Sequence, residues 1–170
     1  DTLVESFTPD EVETVIAHEL AHYVNKDILR FIVIEAIKIF FILLAIDFIF
    51  IAQGFPITDV SYFPLIMLIY FGIELITMPL ANAYSRAREI AADLFALDVV
   101  KKPIAQISTE KRLADVNLGD TKPHPFVEFF LYTHPNTMKR IKLAEDWNKL
   151  FKKKFDQKMR RKKVAPKRKV

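Results

Sequence analysis

Cysteine is missing from all 170 residues. That excludes disulfides and leaves any metal to nitrogen and oxygen ligands, because thiolate ligation is impossible. Acid is almost missing from the last twenty residues, where 11 of the 25 Lys and Arg meet a single carboxylate, Asp156. The other 150 residues carry 14 basic against 20 acidic side chains, a net of −6, so the overall charge of +4 describes a tail and not a basic fold. The same tail has no aromatics beyond Phe151 and Phe155. Bases would find no stacking ladder there, and no specific nucleic-acid partner is expected. The opening residues are polar and acidic where a cleavable signal would be apolar. A helix start follows within eight residues, an abrupt opening that suggests a piece of a longer protein. No internal repeat is present.

What is abundant is apolar residues, and they are concentrated. Residues 28–52 form a run of 25, about 37 Å as a helix and enough to cross a bilayer. Arg30, Glu35, Lys38 and Asp47 interrupt it. A second run, residues 60–83, has only Glu74 as a charge, and residues 53–59 between them read as a turn. Two readings compete: a membrane-spanning hairpin with its charges turned toward other helices or a water-filled cavity, or the buried hairpin of a soluble protein. The span lengths favour the membrane. The turn has no Lys or Arg, whereas Lys26, Arg30, Arg86 and Arg88 flank the other ends. Both hairpin ends are therefore expected in the cytoplasm of an integral membrane protein. At 170 residues the chain fits one domain, residues 1–155 with the hairpin at 28–83, followed by a basic tail at 156–170.

Ahead of the hairpin, Thr8-Pro9-Asp10-Glu11 reads as a helix start. Thr8 caps, Pro9 suits the first helical position and Glu11 completes a capping box. The helix it opens carries His18, Glu19 and His22, the His-Glu-x-x-His pattern of zinc peptidases. Positions i and i+4 share a helix face, so two imidazoles can hold one small cation. Glu19 beside them can take a proton from an attacking water. The alternative is a helix that merely carries two histidines four apart.

A catalytic zinc needs a third protein ligand and an open position. With cysteine absent the candidates are His124, His134 and a carboxylate. Glu89 and Asp93, at i and i+4 in Ser85-Arg86-Ala87-Arg88-Glu89-Ile90-Ala91-Ala92-Asp93, point the same way, and Ala91 and Ala92 permit close helix approach. Glu89 can ligate while Asp93 accepts the other ring proton of a liganding histidine, most simply His18. Otherwise Glu89 pairs with Arg86 or Arg88 on a solvated face. Residues 85–100 and 104–118 read as helices, 119–125 as a loop containing His124, 126–132 as one or two helical turns, and 136–154 as a last helix before a mobile tail from Phe151.

Three blocks carry a family resemblance. His18-Glu19-Leu20-Ala21-His22 with Asn25 and Asp27, Ser85 to Asp93, and Thr133-His134-Pro135-Asn136-Thr137-Met138-Lys139-Arg140-Ile141 resemble the membrane gluzincins, that is, HtpX-type heat-shock proteases and type I CAAX prenyl proteases. The hairpin between the first two blocks is also the family's arrangement. The resemblance implies an all-α fold in which zincin-type catalytic helices are joined by a transmembrane hairpin and followed by a C-terminal helix. It implies that His18, His22 and Glu89 ligate Zn2+, that Glu19 is the general base, that Asp93 supports a ligand, and that His134 stabilises the oxyanion. Arg140 is expected to pair internally with an acidic partner.

The implied activity is a zinc metalloendopeptidase that uses a zinc-activated water on misfolded or membrane-associated polypeptides. The HtpX-like branch is preferred, since the prenyl-protease branch has more spans than are visible. Family members carry helices and a substrate-pairing edge strand upstream of the first block, which this stretch lacks, so metal binding is expected to survive better than turnover. The competing function is a non-catalytic membrane adaptor that retains a metal site and whose basic tail binds anionic lipid.

Overall fold

The computed structural model describes residues 5–164, with side chains to residue 157, and every regular element among them is helical. The elements are α1 (Pro9–Val24), α2 (Asp27–Gln53), a 3-10 turn (Val60–Tyr62), α3 (Phe63–Val100), α4 (Pro103–Val116), α5 (Pro125–Leu131) and α6 (Thr137–Val164). The chain divides into two units. One comprises residues 1–21, 89–123 and 135–170, the other residues 22–88 and 124–134.

In the first unit, α1 begins as the capping box requires. The Thr8 backbone N–H donates to Glu11 Oε2 at 2.8 Å and the Glu11 N–H to Thr8 Oγ1 at 3.3 Å. Glu11 is buried and also accepts from the Ser108 hydroxyl of α4, while Thr14 and Thr109 share a hydroxyl contact of 3.1 Å. These bonds tie α1 to α4, which packs on α6. The buried apolar residues here are largely alanines, Ala17, Ala21, Ala92, Ala96 and Ala144, with Leu97 and Ile141. Such small side chains let helix backbones approach, and polar side chains can then meet between them.

In the second unit, Ile42, Ile46 and Phe50 of α2 form a buried cluster packed against Leu65, Ile66, Ile69, Tyr70 and Ile73. Phe50 meets Tyr62, Lys38 meets Glu74 and Phe31 meets Tyr84, so α2 and α3 run antiparallel as a hairpin. Gly54, at φ +68°, ends α2. Its N–H reaches the Ile51 carbonyl at 3.1 Å, and the Phe55 N–H reaches Phe50 at 2.9 Å, a closure that favours a left-handed glycine. Lys38 sits between Glu35 (2.8 Å) and Glu74 (2.9 Å), so one cation serves two of the carboxylates inside the apolar arms. One helix among the described residues, Val60–Val100, is long and apolar enough to cross a membrane, and it contains the second expected span. The first arm, α2, carries five charged residues, Asp27, Arg30, Glu35, Lys38 and Asp47.

Two expectations change. The run at 60–83 and the helix at 85–100 are a single 38-residue helix that passes through Pro79. And α6 does not give way to a mobile tail at Phe151; it continues to Val164. Lys and Arg are good helix formers, and the run holds no Gly or Pro before Pro166. The last residues of the tail, 165–170, lie outside the described residues.

Candidate metal centre

His18 projects from α1 in the first unit. Its Nδ1 lies 3.0 Å from Asp93 Oδ1 and its Nε2 lies 3.3 Å from Glu89 Oε2. Asp93 is buried, with 1 % exposure. Arg140 grips it by both oxygens, Nε on Oδ2 at 2.7 Å and Nη2 on Oδ1, and turns Nη1 to Glu110 Oε2 at 3.0 Å. Burial alone would lower the basicity of the His18 ring, but the hydrogen bonds to Asp93 and Glu89 outweigh it and raise the ring to about 9. Burial likewise opposes the Arg140 charge, and Asp93 overrides it, holding the guanidinium further above its ordinary range.

In the second unit, His22 opens the segment one helical turn after His18. Its Nδ1 lies 2.9 Å from Asp27 Oδ2, and Arg88 Nε donates to Asp27 Oδ1 at 2.8 Å. Arg86 turns elsewhere and donates to the Glu128 and Tyr132 carbonyls at 3.1 and 2.6 Å, capping the end of α5. Both arginines that could have neutralised Glu89 on a solvated face are thus engaged with other groups. His134 is exposed and its Nδ1 lies 2.9 Å from Thr133 Oγ1. Glu19 is exposed on α1. His124 caps α5, accepting from the Phe126 N–H at 3.3 Å.

His18, His22 and Glu89 form a group able to hold a metal ion, each offering one ligand atom, with all three atoms within 4.8 Å of one another. The donor chemistry fits zinc. An imidazole whose Nδ1–H donates to a carboxylate presents Nε2 as a lone-pair donor, and both histidines have such a carboxylate on Nδ1. Two imidazoles and one carboxylate are a set borne by catalytic zinc sites, with a position left for water.

Asp27, Arg88 and Glu110 were not singled out by sequence reasoning as parts of this site. Asp27 had a visible signal, an acid placed just past the motif and within the first block, but the sequence attaches no role to it. Nothing in the sequence marks Glu110, since it joins the network only through α6. The Arg140 pairing with an acid is as expected, and it has two acids.

Comparison with known proteins follows the same lines. The profile of peptidase family M48 matches residues 1–148. The chain is 26% identical over 158 residues to the uncharacterized metalloprotease YhfN of Bacillus subtilis, covering 85% of this chain and 36% of that protein. It is 28% identical over 164 residues to a CAAX prenyl protease 1 homolog of Oryza sativa, covering 86% and 36%. The crystal structure of S. mikatae Ste24p superposes with a TM-score of 0.72 at 24% identity, over 85% of this chain and 37% of that one, and supports the all-helical fold. The chain thus spans a little over a third of the length of these relatives. The preference for the HtpX-like branch rested on counting spans, and a stretch of this relative length cannot be counted against whole proteins.

Proposed function

The chain belongs to peptidase family M48, and on that premise we propose that it is the metal-binding part of a zinc-dependent endopeptidase embedded in a membrane. The observation that carries this reading is the orientation of the two histidines, each with Nδ1 beside a carboxylate, which leaves Nε2 as the atom available to a cation that Glu89 can share. Zinc, when bound, supplies Lewis acidity toward the peptide carbonyl and makes a water nucleophilic at neutral pH.

The chain's own residues do the rest. His18, His22 and Glu89 bind; Asp93 and Asp27 hold the rings in the ligating tautomer. Glu19, next to His18 and open to solvent, takes the proton from the attacking water and passes it to the leaving amine. His134, also open to solvent, donates to the oxygen that gains charge as the carbonyl is attacked. The exposed apolar surface of Val60–Val100 supports a bilayer around the hairpin, and the positive residues at its open ends support a cytoplasmic site. Substrates would be misfolded or membrane-associated polypeptides.

The test uses the full-length protein in detergent. Wild type is expected to bind one zinc per chain and to hydrolyse an unfolded polypeptide. Glu19→Gln should keep the zinc and lose about 10²–10⁴-fold in rate, the range of a positioned general base. Purified wild type with no zinc sinks the proposal.

A further inference from the structure

Beyond the ligands and the carboxylates that touch them, a buried acid of the first unit joins the same network. Glu110 of α4 has only 5 % exposure and ends a line of alternating charge through the first unit: Glu110 to Arg140 at 3.0 Å, Arg140 to both oxygens of Asp93, and Asp93 to His18 Nδ1 at 3.0 Å. A guanidinium is a rigid plane with donors on more than one edge, so two carboxylates on Arg140 fix both its position and the share of its charge each receives. If Arg140 served only to pin α6, one buried carboxylate would suffice. The second one controls how much of the positive charge is left for Asp93.

We propose that Glu110 is a positioning residue for the metal centre, which acts through Arg140 and Asp93 to set how strongly His18 presents its Nε2 to the metal. The proposal rests on the zinc reading above. With Glu110 ionised, Arg140 is partly satisfied, Asp93 keeps more negative charge, and the Nδ1–H of His18 is held firmly, which makes Nε2 a better donor. With Glu110 neutral, Arg140 leans wholly on Asp93, the hold on His18 weakens and the metal binds less tightly. Burial pushes the Glu110 carboxyl up to about 7 against the pull of Arg140, so the outer end of the line changes charge near neutral pH. The charged groups acting on it are Arg140 from α6, Asp93 and Glu89 from α3, and His18 from α1.

The experiment measures zinc affinity of the full-length protein by competition with a chromophoric chelator between about pH 5.5 and 8.5, with thermal unfolding beside it. Residues that touch a ligand are worth about 10–100-fold in metal affinity. Glu110 stands two partners further out, behind Arg140 and Asp93, so Glu110→Gln should loosen zinc by about three- to tenfold at pH 8. Wild type should show an extra rise in affinity through about pH 7, absent in Glu110→Gln and retained with a shifted midpoint in Glu110→Asp. The Asp variant keeps the charge and serves also if the Gln variant fails to fold. A Glu110→Gln protein that melts lower yet binds zinc within twofold of wild type at every pH would show a structural pin and overturn the proposal. So would a Glu110→Asp protein with no step near pH 7. Wild type without zinc would instead remove the reading beneath it.

Discussion

His18 and His22 sit one turn apart on the same helix, yet their supports are built in opposite ways. For His22 the carboxylate is Asp27, five residues along, and a single arginine, Arg88, donates to it through Nε. For His18 the carboxylate is Asp93, 75 residues away, gripped through both oxygens by an arginine 47 residues further on, which holds a second acid as well. Each histidine has the same chemistry at Nδ1. The difference is that the His22–Asp27 contact forms as soon as the chain turns, with Arg88 joining it from 61 residues on, while the other support exists only when α1, α3, α4 and α6 have all come together. The first is a local property of the chain; the second is a readout of the finished first unit.

The comparison breaks most sharply at the carboxylates. Asp93→Asn should lower zinc affinity by close to 100-fold and Asp27→Asn by nearer tenfold, the two ends of the range for groups that orient a metal ligand. Competition with a chelator in the two variants measures the ratio, and equal losses would erase the difference between the two supports. Asp93→Asn should also bring the Glu110 carboxyl down from about 7, because Asp93 is one of the charges that raise it.

A smaller effect lies in pH. Without metal the His18 ring is raised to about 9, but ligation needs its Nε2 bare. Zinc binding at neutral pH should therefore expel a proton, and affinity should fall about tenfold for each pH unit below about 9 from this group alone. Calorimetry in buffers of different ionisation heat counts the proton. For folding the sign is opposite. The folded value lies above the ordinary 6.5, so the contribution to metal-free stability is complete below about 6.5 and is lost as pH rises through about 9.

The smallest effect is expected at the arginines. Arg88→Lys keeps a charge near Asp27 and should cost least, whereas Arg140→Lys loses a fork that serves two acids and should cost more. Zinc affinity of the two variants side by side gives the order.

What the sequence made legible follows the same division. The helix start at Thr8, the two histidines of one face and the Glu89–Asp93 pair are patterns of three or four residues, and helix geometry turns such spacings directly into shared faces. The hairpin was legible from hydropathy and a glycine. The roles of Arg86, Arg88 and Glu110 were not, because a charge on a helix looks the same whether solvent or a buried acid waits for it. The apolar run at 60–83 and the helix at 85–100 read as two segments, but one helix runs through both, Pro79 included. The basic run after Phe151 read as disorder because charge repels, while the helical preference of its lysines and arginines won.

Between His22 and Asp27 stands Lys26, a non-glycine residue at φ +55°. In an unbroken helix a residue five positions on points about 140° away from the first, out of reach. The left-handed step at Lys26 ends α1, starts α2 at Asp27, and folds the carboxylate back onto the imidazole it has just passed. The backbone carries a strain of about 1 kcal/mol for this, which a glycine would relieve and a valine would aggravate. In the language of motifs, His-x-x-x-x-Asp is then meaningful only with its punctuation: an insertion of one residue at the break would leave both histidines on α1 and take away the partner that orients one of them.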